Sequence, residues 1–166
     1  ILMSYCARGH YPYDDIGIVS TKGGEPVINL TESGYTDSAP QWVLGGNAIL
    51  FASERYGMRN HASWGTLEDV MIVFLNRKAY DDFRMTKEEK ELEKNISGLS
   101  EDKDDKSDNK EDKKDEKKDK VEEIVVELDG IDERMIRLTP ASSNLGSAAL
   151  SKDGNTLYYQ AAYESG

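Results

Sequence analysis

Apolar positions in this chain recur in runs of about five to seven residues, alternating or continuous, with Gly, Asn and Asp clusters between them; this is the spacing of short antiparallel strands. Strands are predicted at Leu2 to Ala7, Asp15 to Ser20, Pro26 to Leu30, Ala39 to Val43, Ala48 to Ser53, Asp69 to Leu75, Glu123 to Leu128, Arg134 to Leu138, Ala148 to Ser151 and Thr156 to Ala162. Gly45-Gly46-Asn47 and Asp153-Gly154-Asn155 supply the residues that tolerate positive φ in tight hairpins, and Asp153 can cap its own turn through its carboxylate. Helix signals are scarce. Thr86-Lys87-Glu88-Glu89 has the form of a capping box, and Lys87 and Glu91 are spaced to pair, so a short helix is predicted near residues 86 to 95.

Much of the pattern occurs twice. Residues 15 to 53 lie over 123 to 161 at a constant offset of 108 without a gap: Asp15-Ile16-Gly17-Ile18 falls on Glu123-Ile124-Val125-Val126, Leu30-Thr31 on Leu138-Thr139, and Gly46-Asn47 on Gly154-Asn155. That offset is too long for one repeat of four short strands, which takes about 40 to 45 residues. The excess is a loop from Tyr56 to Leu67, an additional strand over Glu68 to Leu75, and an insertion from about Asn76 to Lys120. Three stretches follow: residues 1–75, the insertion at 76–120, and residues 121–166.

Composition changes the picture mainly through that insertion. The chain has 166 residues and a net charge of -11, from 21 Lys and Arg against 32 Asp and Glu. From Ser100 to Lys120, 18 of 21 residues are charged, ten acids and eight lysines, and none is apolar. Without the tract, the apolar share rises from 37% to roughly 42%, enough for a core. The tract itself reads as a solvated, disordered linker. Acidic charge with no uninterrupted basic cluster argues against nucleic-acid binding, and no apolar run approaches the roughly 18 residues that a membrane helix needs. Cys6 has no internal disulfide partner, and with only His10 and His61 it makes no Cys-rich zinc site. The start at Ile1, without Met, suggests an excerpt of a longer polypeptide.

Pro40-Gln41-Trp42-Val43-Leu44-Gly45-Gly46-Asn47-Ala48-Ile49-Leu50-Phe51 resembles the P-x-W-S-P-D-G-K-x-I-x-F repeat of TolB-like and tricorn-like β-propellers. Asp15-Ile16-Gly17-Ile18-Val19-Ser20-Thr21-Lys22-Gly23-Gly24-Glu25, ending in Leu30-Thr31, resembles the other half of that repeat, and Ser53-Glu54-Arg55-Tyr56-Gly57 its S-D-R-x-G connector. Ile124 to Thr139 is similar to the V-x-I-D-L-x-G-I-E-D-R-I-V-R-L segment in the N-terminal propeller of tricorn-like serine peptidases, which often carry a charged insertion just before it. The sequence departs from the repeat where Val43, Leu44 and Gly45 replace S-P-D, where Leu150 stands for Trp and Lys152 for Pro, and where Gly17 replaces an aromatic expected to pack between blades.

The resemblance implies an all-β fold of antiparallel four-stranded blades, about two of them here, with neither able to cover its own faces, so that the isolated chain is marginal or self-associates. It implies a non-catalytic role, structural and peptide-gating, in a periplasmic or secreted peptidase. The partners it implies are further blades, downstream PDZ and peptidase domains and peptide substrates, and a homo-oligomer is open; no cofactor, nucleic acid or membrane is expected. A TolB-like binding module without enzymatic activity is the alternative. Either Asp69 to Leu75 or Glu123 to Leu128 fits the third position of the interrupted blade.

Candidate chemistry is sparse. No serine sits in a G-x-S-x-G elbow, and His10 and His61 lie in loop-like stretches, so no catalytic residue is assigned. Asp105, Ser107, Asn109 and Glu116 fall in a calcium-loop register, but Lys110 occupies the position where Gly must turn the chain, so the match reads as chance and no metal site is assigned. The sequons at Asn29 and Asn95 likewise read as coincidence in a family that looks bacterial. Trp42 and Tyr159 are predicted core aromatics. The loop from Arg55 to Gly65 differs: Arg55, Arg59 and Trp64 are the candidate substrate-path residues, lining a peptide track with an arginine meeting a carboxylate.

Overall fold

The structure is a computed structural model, and it describes residues 1–7, 13–58, 66–101 and 124–162. Nine strands form three antiparallel sheets among these residues. The first sheet holds β1 (Leu2–Tyr5), β2 (Asp15–Ile18) and β3 (Ile28–Asn29). The second is a meander of β4 (Asp37–Val43), β5 (Ala48–Ser53), β6 (Asp69–Phe74) and β7 (Met135–Arg137) in that order. The third is the hairpin of β8 (Asn144–Leu150) and β9 (Leu157–Ala162).

Packing explains why β5 and β6 read as unbroken apolar runs. Every residue of both strands is buried, because the second sheet is covered on both faces. Ile49, Phe51, Met71 and Val73 point to one side and pack with Ile16 and Leu30 of the first sheet. Leu50, Val70, Ile72 and Phe74 point to the other and pack against Leu145, Ala148, Leu157 and Tyr159 of the third. The outer strands alternate instead: in β9, Leu157 and Tyr159 are half-buried while Tyr158 is exposed.

The 108-residue repeat survives in the registers. Asp37 pairs with Ser53 and, after a bulge, Trp42 with Ile49; the offset carries these to Leu145 with Ala161 and Leu150 with Leu157, both of which are paired, again across a bulge. The gapless match fails at its beginning. Residues 124–128 form no strand, and Glu123 lies outside the described residues. The counterpart of β2 is β6. Leu30 N–H donates to Ile16 O at 2.8 Å, and Leu138 N–H donates to Val70 O at 2.8 Å, so Asp69-Val70 holds the place of Asp15-Ile16. The third position of the four-stranded sheet therefore belongs to the strand beginning at Asp69. Segment 124–128 instead crosses the end of β6, where Glu127 N–H donates to Leu75 O at 2.7 Å.

Two helices lie in the described part of the insertion. The capping box forms as predicted: Thr86 N–H donates to Glu89 Oε2 at 2.7 Å, Glu89 N–H donates to Thr86 Oγ1 at 3.2 Å, and α2 runs through Lys87–Glu101, past the predicted end. Ser100 and Glu101 are thus helical, whereas the rest of the charged tract lies outside the described residues. The other helix, α1 (Arg77–Arg84), is not anticipated by the sequence pattern. Asn76 caps it by accepting from Ala79 N–H at 2.9 Å, and Tyr80 and Phe83 dock on Phe74 with ring centroids 5.7 and 5.0 Å away.

Two smaller expectations are corrected. Trp42 is not core but 42% exposed, because β4 is an edge strand and Trp42 lines an open cleft beside Ile18 and Ile28 of the first sheet. No aromatic is missing at Gly17: an added Cβ would stand 2.5 Å from Tyr5 Cε1 and 2.7 Å from Val27 Cγ1, so those side chains already fill the space.

Candidate functional site

One end of the stack collects most of its buried charge, for a local reason. β2, β4 and β6 all begin with an aspartate, and β5 ends at Ser53 with Glu54-Arg55 directly after it, so the antiparallel order brings Asp37, Glu54, Glu68 and Asp69 to the same end of the second sheet. Asp15 holds the matching place in the first sheet. Asp15, Asp37 and Asp69 are all nearly inaccessible to solvent.

Each aspartate is a hub. Asp15 accepts from Asn29 Nδ2 at 2.8 Å, Ser33 N–H at 2.8 Å and, more weakly, Thr31 Oγ1 at 3.4 Å. Thr31 Oγ1 in turn accepts from Ile16 N–H at 3.0 Å. The same device recurs one sheet on: Thr139 Oγ1 donates to Asp69 Oδ1 at 2.7 Å and accepts from Val70 N–H at 3.2 Å. Arg137 Nε and Ser142 Oγ complete the shell of Asp69 at 2.9 and 2.7 Å. The L-T ending of the sequence repeat is therefore a lock that ties the end of the last strand of a sheet to the start of the strand before it. Asn29, the residue of the first sequon, is consumed in the same lock.

Arg55 is the candidate substrate-path residue that the structure describes, and its guanidinium is directed inward. Nη2 meets Asp37 Oδ2 at 3.1 Å and Thr31 O at 3.4 Å, and Nη1 lies 3.3 Å from Met135 Sδ, so the side chain spans from the first sheet to the second. Asp37 also accepts from Ser33 Oγ at 2.9 Å. Tyr56 projects outward beneath Arg137, whose guanidinium carbon stands 5.2 Å from the ring centroid. Arg59 and Trp64 fall outside the described residues, as do His10, His61 and the calcium-like register of the tract.

Sequence reasoning missed a further arginine. Arg134 is buried and donates to Phe74 O at 3.2 Å, Asp129 O at 2.8 Å and Glu127 O, binding the segment that follows the insertion to the end of β6. Its position in the D-E-R-M-I-R-L-T run was the available signal. Among the described residues no three acidic, histidine or cysteine side chains converge as metal ligands, and no helix is long and apolar enough to cross a membrane. The arrangement is chemically one of carboxylates held by hydroxyls, amides and guanidinium groups. No family model matches the chain, and neither the curated proteins nor the solved structures contain a match.

Proposed function

We propose that these residues are a non-catalytic slice of a β-propeller, in a protein similar to the tricorn-like serine peptidases, with a structural and peptide-gating role. The observation that carries the reading is the second sheet. It is a four-stranded antiparallel meander buried on both faces by sheets built on the same repeat, which is how propeller blades stack. In that reading β1 to β3 are the last three strands of one blade and β8 and β9 the first two of another, so the chain holds one complete blade between two partial ones. The peptidase assignment rests on the run from Ile124 to Thr139, whose two arginines and threonine are each committed to hydrogen bonds in the fold.

A TolB-like binding module is the second reading. It is favoured by Arg55, whose guanidinium is engaged by Asp37 instead of being offered to a peptide carboxylate. The two part in one experiment. The full-length polypeptide and the isolated 166-residue chain are assayed against a mixed fluorogenic peptide library. Gating of a peptidase predicts turnover by the full-length protein alone, altered by substitution of Trp64 and Arg59; a binding module predicts turnover by neither. Hydrolysis by the isolated chain would refute both.

A further inference from the structure

The register Ser53↔Asp69 sets Glu54 directly against Glu68 one rung further along β5 and β6. On the other side of Glu68 stands Ser143, joined to it by a pair of backbone bonds, Glu68 N–H to Ser143 O at 2.9 Å and Ser143 N–H to Glu68 O at 3.1 Å. Residues directly opposite in an antiparallel pair share a face. Glu54, Glu68 and Ser143 therefore make one row on the side that faces the third sheet, with Ser38 adding a hydrogen bond to the Glu68 carboxylate. Like charges opposed on a sheet repel each other, and this pair is not relieved by a cation: the ion pairs among the described residues involve neither glutamate. Glu54 is 8% exposed and Ser143 1% exposed, and among the described residues neither Glu54 Oε2 nor Ser143 Oγ has a hydrogen-bond partner. Glu68 lines a groove of about 200 Å³ between the second and third sheets, together with Ser38, Gln41, Ala52 and Gly146.

We propose that Glu54, Glu68 and the hydroxyl of Ser143 form a binding site for a hard divalent cation of the calcium class, entered from the groove between the second and third sheets. Two carboxylates and a hydroxyl supply oxygen donors on adjacent strands, and water from the groove completes the shell, as such cations accept. The cation relieves the repulsion that the bare pair suffers, and it satisfies the orphaned Oε2 and Oγ, which a partner-free fold leaves costly. With only two carboxylates the affinity belongs to the weak class, on the order of 0.1 to 1 mM.

The test is thermal unfolding of the whole chain with calcium chloride or with chelator, for the wild type and for Glu54→Gln, Glu68→Gln and the double variant. At about tenfold excess over that dissociation constant, calcium should raise the wild-type Tm by roughly 3–8 °C. The double variant controls for loose binding by the acidic tract and should show no such rise. In chelator each single variant should be more stable than the wild type, because one of two opposed charges is gone. Equal calcium shifts in wild type and double variant, or none in either, would overturn the site. A wild type that calcium leaves unchanged but acidification to about pH 5 stabilises would show a pair that shares a proton instead, which also overturns it.

Discussion

Replacing Arg134 with methionine should cost far more than its distance from any groove suggests. The guanidinium holds three backbone carbonyls, of Phe74, Asp129 and Glu127, at once. Hydrogen bonds from a charged donor contribute about 1.5–3 kcal/mol each, so three amount to roughly 5–9 kcal/mol. Against this stands the desolvation of a buried cation that no carboxylate among the described residues neutralises, which returns several kcal/mol when the charge is removed. The methionine stem keeps the packing but leaves the carbonyls bare. The net loss should be about 3–5 kcal/mol, a large share of the 5–15 kcal/mol that holds a domain together. Urea unfolding followed by circular dichroism measures it as a fall in the midpoint at constant slope. Hydrogen exchange should localise it, with protection lost over 124–134 before the β8–β9 hairpin is affected. A loss below about 1 kcal/mol would mean that water replaces the arginine at little cost, and the clamp reading would be wrong.

Further outcomes follow from the same geometry. Thr139→Val should destabilise by about 1–3 kcal/mol and Thr31→Val by less, because the Asp69 bond is 2.7 Å and the Asp15 bond 3.4 Å; paired denaturation curves that rank them the other way would refute the lock as described. Gly17→Ala should cost about 1–3 kcal/mol, since the new methyl meets the Tyr5 ring and Val27, and the added truncation Tyr5→Ala should recover part of that loss in a double-mutant cycle. The Asp153 carboxyl is held down to about 2, first by Ser151 Oγ and then by Asn155. Its folded value lies below the ordinary 3.8, so its contribution is present above that value and fades as pH falls through about 2. Carboxyl NMR titration should show a midpoint near 2 that moves up in Ser151→Ala; an unmoved midpoint would remove Ser151 as its cause.

Strands were legible where the local pattern and the tertiary burial agreed. Ala48 to Ser53 and Asp69 onward are continuous apolar runs because both faces are covered, and the reading of each stands to within a residue. Residues 124–128 carry the same composition, but the slot beside β5 is already filled by β6, so the apolar side chains of Ile124 and Val125 stay near half exposed. Tertiary competition, which no local pattern contains, decided that case. The α1 helix had a signal in Asn76 as N-cap with Ala79, Tyr80 and Phe83 on one side, but it was masked by five charged residues in eight. The candidate site was the least legible part. Arg55 reads as a loop residue in sequence, and only the pairing of β4 with β5 places Asp37 beside it.

The insertion leaves the second sheet at Leu75 and returns at Glu127, and the bond between those two residues closes it off like the neck of a flask. Once a neck is fastened, the volume of the flask hardly matters: where added residues are flexible, doubling the length of a closed segment costs only about 0.6 kcal/mol. Selection on the second sheet would then act on Leu75, Glu127 and Arg134 and be nearly blind to how many lysines and acids lie between. The same neck gives a protein engineer a port for a reporter domain that leaves every strand pairing intact.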